Sequence, residues 1–464
     1  MEVNDTGFKL SNIYIVHCID AEGPLFENFK ATLKRIRNIF DKPIKKNYKN
    51  LDDFLKSDKL LSKKEIKQFK FIFSKHNLNY NKSWVEISKM IDILYSEDFL
   101  EKHKDSIGNK WIYNFFILDH VFYEKNPRKR ILGFHKVYDY YLKKLNTKSS
   151  FGFHYHPHSL TNEAHHSGTS WFDEHGKLNQ VISRKIIDKE WFPAVNRCGF
   201  HVTKPDSHWF LEQYIPFDIS NNSSFDQNKS VQTDISLGNY GDWTRSTKSW
   251  VPYYPSHEDY QVEGDCKRLI ARCLNLNTRY NNFDKKEAKY AFSEANKGKN
   301  ILLGLTNHDH RDITYDVETT YNILKNISKE YPKVKFIYSD AVNAFRKTLK
   351  LRKKKHIKFK VKFDKKNLPD KLYLYIESDQ KIFGSQPFFC FKDKRNKYYH
   401  DNLITLKPGF KWRYCFFLEN VLPLKIKNLG FASNNDYGRT TIVNFDENLK
   451  RKNTFLNLYS KVKP

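Results

Sequence analysis

An α/β domain on a parallel sheet, followed by a smaller all-β domain, is what this sequence predicts. Three observations carry that prediction. Short β-branched apolar runs alternate with amphipathic helical stretches from Asn12 to about residue 350. The polar residues best suited to chemistry stand directly after those runs, where parallel α/β folds place their sites. Beyond residue 350 the pattern changes to period-two alternation with closely spaced turn signals, the pattern of an antiparallel sandwich.

Asn12–Ile19 is nearly continuous in apolar residues, as expected of a strand buried on both faces. From Leu25 the chain turns Lys-rich. Leu51, Phe54 and Leu55, and again Trp84, Ile87, Met90, Ile91 and Leu94, show helical spacing, so residues 25–110 predict a helical insertion. Trp111–Leu118 reads as the second strand, and Asn126-Pro127 breaks the chain before a helix over Ile131–Leu145. A third strand ends at Phe153, Phe192–Val195 suits a fourth, and Ile301–Thr306 is a strong late one. Helix Tyr315–Tyr331, strand Val334–Tyr338 and helix Ala341–Leu349 close the first domain, residues 1–350. Leu351–His356 is a basic linker into a β-rich domain over 351–464, with alternating segments at Lys358–Phe363 and Lys371–Ile376.

A chain of 464 residues with 37 Phe, 28 Tyr and 8 Trp has ample material for packed cores and is not disordered. The net charge of +28 raises the question of nucleic acid. The charge is Lys-rich, mixed with acids along the whole length, and no zinc finger or aromatic RNA motif accompanies it, which argues against that partner. A solvated basic surface, able to touch anionic lipid or phosphate-bearing substrates, is the reading adopted. The six cysteines show no CxxC pair and read as reduced thiols. Met1–Leu10 lacks a secretory pattern and no apolar run suits a transmembrane helix, so a cytoplasmic protein, peripheral to the inner membrane at most, is expected.

The stretch Phe-Gly-Phe-His-Tyr-His-Pro-His at 151–158 is the strongest chemical signal, because three imidazoles at a strand end are good donors for zinc and related ions. The first strand ends in Asp20-Ala-Glu22-Gly-Pro, and two carboxylates directly after a buried strand are costly without a cation.

In these motifs and their order the chain resembles the NodB-type polysaccharide deacetylases, carbohydrate esterase family 4. The acidic pair before Gly-Pro is similar to that family's first motif, one residue longer. Gly152-Phe-His154 with His158 resembles its histidine pair, Arg197-Cys-Gly199 its arginine motif without the proline, and His308-Asp309 its terminal histidine. The resemblance covers roughly residues 11–350 and implies a distorted (β/α) barrel. It further implies that Glu22, His154 and His158 bind a divalent metal, zinc first, with cobalt, nickel or manganese as alternatives. Asp20 would be the base, Arg197 its orienting partner and His308 the acid. The extra residue leaves the roles of Asp20 and Glu22 exchangeable, and His156 and His310 stand as alternatives to the chosen histidines.

The resemblance implies N-deacetylation of an amino sugar, nucleotide- or lipid-linked, in surface polysaccharide or glycoconjugate biosynthesis. A degenerate barrel serving as a carbohydrate-binding scaffold, or an amidohydrolase acting on a non-sugar amide, is the alternative. Trp243, Trp250, Tyr253 and Tyr254, on a Gly/Pro/Ser-rich stretch from Gly238 to Gly264, suit a sugar-stacking platform or ordinary loop packing. Asp218 suits a later acidic motif or a strand cap. His165-His166 with Trp171 suit a loop over the site, and Asp309 and Asp312 suit holding the His308 ring or Arg311, or equally ordinary surface pairing.

Overall fold

Strand β1 (Asn12–Ala21) decides the architecture, because its two edges are used differently. One edge pairs along most of its length with β7 (Ile301–His308). The other is shared: Asn12–Ile15 pairs with β8 (Lys335–Tyr338), and His17–Ala21 pairs with β2 (Tyr113–Ile117). From β2 the sheet continues through β3 (Phe151–Tyr155), β4 (Val195–Cys198), β5 (Phe217–Asn221) and β6 (Leu269–Asn275) back to β7. All these pairings are parallel, so seven strands close into a barrel and β8 lies outside the closure. This computed structural model describes residues 11–44, 48–57, 60–146, 151–168, 170–172, 176–226 and 241–456. Met1–Leu10 and Gly238, to which readings above refer, lie outside the described residues.

Period two sorts the strands into an inner and an outer face. Tyr14, Val16 and Cys18 of β1 meet Phe116, Phe217, Ile219, Leu269, Ala271, Cys273 and Leu302 in one buried cluster. Ile13, Ile15, Ile19 and Ala21 instead face the helices. Gly152 is glycine for a packing reason: a Cβ there would collide with the Phe116 ring.

Two strands escaped the sequence reading. β5 and β6 are fully buried, yet they carry Asp218 and Arg272, whose charges disguise them. Arg268 donates to Asp218 at 2.6 Å, and Arg272 donates to Glu287 at 2.7 and 2.8 Å, so the buried charges are paired. β4 starts at Val195, where the run Phe192–Val195 had been expected to be the strand. The structure gives Asp218 this structural role rather than a place at the rim chemistry.

The insertion between β1 and β2 is helical: Phe29–Phe40, Leu51–Ser57, Lys63–Ile72, Lys75–Leu78, Trp84–Leu94 and Glu97–Lys102. Ser62 and Ser83 each form a capping box with the glutamate three residues on, which fixes two of the helix starts. Ile36, Ile39, Phe40, Phe54, Phe69 and Phe73 enclose a small core of their own. Ile87, Met90, Ile91 and Leu94 instead join the barrel's outer core.

After helix Ala341–Thr348 come two antiparallel sheets. Strands β9 (Phe359–Asp364), β10 (Leu372–Ser378), β13 (Ile404–Lys407) and β14 (Lys411–Phe416) form one, in the order β13-β14-β10-β9. The other runs β12-β11-β15-β16-β17, from β11 (Phe388–Asp393), β12 (Tyr398–Asp401), β15 (Ile426–Asn434), β16 (Thr440–Phe445) and β17 (Arg451–Leu456). Phe389, Phe391 and Phe431 face the sandwich core with Trp412 and Phe416. Phe388, Cys390, Ala432 and Ile442 belong to the barrel's core instead.

The expected boundary at residue 350 is thus a change of architecture and not a break in packing. Helix Lys177–Lys189 lies under β11, β12 and β15. Its Arg184 guanidinium sits 4.0 Å from the ring centroids of both Phe134 and Tyr398. Asn434 donates to the carbonyls of Pro193 and Tyr214 at 2.7 and 2.9 Å. Truncation after Leu349 is therefore expected to give an insoluble or dye-binding product, because it bares this apolar face. A cooperatively melting 1–349 fragment would refute the shared core. No helix among the described residues is long and apolar enough to cross a membrane.

Candidate metal centre

The inner phase of β1 continues past Cys18 to Asp20 and Glu22, so both carboxylates point toward the barrel axis at its carboxyl rim. In β3 the same phase runs Gly152, His154, His156, and in β7 it runs Leu302, Gly304, Thr306, His308. These side chains meet, and all but His308 are buried.

The His154 Nδ1–H donates to the Arg197 carbonyl at 2.7 Å, which leaves the Nε2 lone pair facing inward. That Nε2 lies 3.0 Å from His156 Nε2 and 3.8 Å from Glu22 Oε1, and His156 Nε2 is 3.5 Å from the same oxygen. Ligands about 2.0–2.1 Å from one tetrahedral ion stand roughly 3.3 Å apart, so the three spacings bracket what a metal requires. Burial pushes the His156 pKa well below its usual value, so its ring is neutral and keeps one nitrogen lone pair free for a ligand bond. Burial alone would raise the Glu22 pKa, but Arg130 at 2.6 Å, with His156 and His154, holds it well below the usual carboxylate range. Gly199 completes the fit, because a Cβ there would run into the His156 ring. Glu22, His154 and His156 thus form a buried group able to hold a metal ion.

His158 is not part of that group. β3 ends at Tyr155, Pro157 turns the chain, and the His158 Nε2–H donates to the Phe122 carbonyl at 2.8 Å while its ring stacks on Tyr123. Spacing of four would serve a helix. At a strand end the spacing of two selects His156. His310 is also outside the trio, with its Nδ1 3.4 Å from Arg130 Nη1.

Beside the trio, Arg197 Nε donates to Asp20 Oδ1 at 2.7 Å, and both groups are buried. Arg197 is steadied by His201, whose Nδ1 lies 3.2 Å from Nη1 and whose Nε2–H donates to Asn275 at 3.1 Å. His308 Nε2 is 3.7 Å from both Asp20 Oδ2 and Glu22 Oε1, on the open side, with 27% of its side chain exposed. Burial takes its pKa down to about 4, so it is neutral at pH 7.

Other expected roles move. Asp309 accepts from the backbone N–H groups of Glu22 and Gly23 at 3.0 and 2.8 Å and from Tyr141 Oη, so it shapes the Glu22 turn. Asp312 caps helix Ile313–Ser328. Trp171 is a buried core residue, while His166 bonds Thr161 and Glu163 and His165 contacts Arg128.

The expected stacking platform is absent. Trp243, Trp250 and Tyr253 are buried, and only Tyr254 is exposed. Trp243 Nε1 donates to the His201 carbonyl, Trp250 lies under the Arg272 guanidinium, and Tyr253 Oη donates to the Tyr260 carbonyl. A Gly/Pro-rich stretch looks exposed in sequence. Here it folds back on β6, to which Tyr253 bridges through Ile270.

The sequence reading missed Arg130, His201 and Asn275. Arg130 sits in Asn-Pro-Arg-Lys-Arg, which reads as a surface turn. A second trio, Glu212, His257 and Cys266, also has metal-compatible spacing, but His257 is exposed and already pairs with Glu212 at 2.6 Å. No family model matches this chain, and neither does any curated protein or solved structure.

Proposed function

We propose that this barrel is a metal-dependent amide hydrolase of the NodB deacetylase kind, which removes the N-acetyl group of an amino sugar. The observation that carries this reading is the Glu22–His154–His156 donor group set beside an Asp20 that Arg197 braces, at the carboxyl rim of a parallel barrel. A divalent ion held by that trio, zinc being the first candidate, supplies Lewis acidity to an amide carbonyl and to water. Arg197 occupies Asp20 Oδ1 and keeps the carboxylate oriented, leaving Oδ2 toward the open side. Oδ2 takes the proton from water as its oxygen bonds to the carbonyl carbon. His308, 3.7 Å away and neutral beforehand, takes that proton from Oδ2 and passes it to the nitrogen as the C–N bond breaks, giving acetic acid, which ionises to acetate, and a free amine.

The test is acetate release from a panel of N-acetylated sugars, with the metal content of the same sample measured. Release by metal-loaded protein that stops on chelation and returns with zinc is expected. A metal-loaded protein inert on every sugar and amide would leave the scaffold reading in its place. One observation favours a second reading, hydrolysis of a small non-sugar amide: three of the four aromatics expected to stack on a pyranose are core residues.

A further inference from the structure

We propose that the rim carries an anion-binding recess next to the metal centre, built by Arg35, Arg128, Arg130 and Arg311, which takes a phosphoryl or pyrophosphoryl group. As a statement about substrate, this rests on the amide-hydrolase reading above. As a binding site it stands on its own geometry.

The four arginines come from three separate parts of the chain. Arg35 lies on the insertion helix Phe29–Phe40, Arg128 and Arg130 follow β2, and Arg311 follows β7. Tyr80 and Glu27 draw them together. Arg35 Nη1 donates to Tyr80 Oη at 2.8 Å, and the Arg311 guanidinium is 6.0 Å from the Tyr80 ring centroid. Arg35 Nε and Arg128 Nη1 stand 3.5 and 3.4 Å from the two oxygens of Glu27. The Tyr80 ring lies 5.8 Å from the His310 ring, and His310 Nδ1 is 3.4 Å from Arg130 Nη1.

Charge within the group does not balance. Arg35, Arg128 and Arg130 are ion-paired with two carboxylates, Glu22 and Glu27, Asp316 adds attraction at Arg311, and among the described residues the side-chain acceptor bonded by Arg311 is the neutral Asn77. Hydrogen bonding does not balance either. Arg35 Nη2, Arg130 Nε and Arg311 Nε are buried without an acceptor, Arg35 Nε has only its 3.5 Å contact with Glu27, and Arg130 is only 3% exposed. Buried charged donors left unpaired are costly, and several in one place call for an acceptor from outside the chain. Burial, against the attraction of Glu27 and with repulsion from Arg35 and Arg130, pulls the Arg128 pKa down to about 10. Phosphoryl oxygens match guanidinium forks in charge and geometry. Arg130 joins the two sites, because its Nη2 holds Glu22 Oε2 while Glu22 Oε1 faces the imidazoles. A ligand with its phosphoryl group among the arginines would have its next few atoms at the metal.

The experiment titrates inorganic pyrophosphate into the full chain after chelation, so that metal coordination cannot report binding. Saturable binding by calorimetry is expected, weakened at least tenfold in Arg35→Gln and in Arg311→Gln and largely kept in Arg35→Lys. Arg395→Gln, at a 70% exposed side chain, should bind as the parent does. No binding by the parent, or equal losses in Arg35→Gln and Arg395→Gln, overturns the recess in favour of diffuse attraction to a basic surface. A nucleoside diphosphate and a polyprenyl diphosphate in micelles then tell a soluble from a lipid-linked carrier. The tighter one should lose its affinity in Arg35→Gln, and its retention there overturns the proposal. Pyrophosphate binding without acetate release keeps the recess and removes the hydrolase, and acetate release without pyrophosphate binding does the reverse.

Discussion

His156→Ala is expected to lose most of its divalent ion, whereas His158→Ala keeps it at the parent's occupancy. His156 Nε2 faces His154 Nε2 and Glu22 Oε1, while His158 spends its Nε2–H on the Phe122 carbonyl. Removing one of three protein ligands takes away a bond that water replaces poorly, so a loss of at least 10-fold in affinity is expected, at the level that even outer-sphere partners produce. Elemental analysis after dialysis reads the result, with a thermal melt to show that the barrel is intact. Full occupancy in His156→Ala would mean that the trio is not the site. Gly199→Ala offers a second reading of the same geometry, since its methyl group would run into the His156 ring and the Tyr155 carbonyl oxygen while leaving all three ligand side chains in the sequence. It should lower metal affinity with less effect than His156→Ala.

The fold was legible where physical chemistry acts along the chain, and obscure where it acts across it. β1, β2 and β7 announce themselves because both faces are buried in apolar surroundings. β5 and β6 did not, because their buried charges are cancelled by Arg268 and Glu287, partners 50 and 15 residues away that no local pattern reveals. The site shows the same division. Asp20, Glu22 and His154 stand at strand ends, and counting in twos along β1 and β3 would also have selected His156 over His158. Arg130 had no such signal. Its role depends on a loop that reaches Glu22 from 108 residues further along the chain. The Trp243–Tyr254 stretch misled for the converse reason: its glycines and prolines describe its turns, but whether the rings face solvent was settled by the His201 carbonyl and Arg272.

Asp20→Asn should lower turnover by about 10²–10⁴-fold while leaving metal content close to that of the parent. The amide oxygen can still accept from Arg197, so position is kept and basicity is lost. Asp20→Ala is a different experiment, since it leaves the Arg197 charge buried without its carboxylate, a change that costs about 3–5 kcal/mol in such pairs. A fall in melting temperature in Asp20→Ala that Asp20→Asn largely spares would separate bracing from chemistry. His308→Ala should lower turnover over the same range of about 10²–10⁴-fold. It removes a half-buried ring with one unpartnered nitrogen, so stability should change little. The two carboxylates also make opposite predictions. Glu22→Gln weakens metal binding, because Glu22 Oε1 is the oxygen that faces His154, His156 and His308. Asp20→Asn does not, because Oδ1 is turned to Arg197. If Asp20→Asn lost the metal and Glu22→Gln kept it, the two roles would have to be exchanged. Near-parental acetate release from His308→Ala would instead assign the proton transfer to another group, with the buried His310, whose ring centroid is 4.8 Å away, as the next to replace.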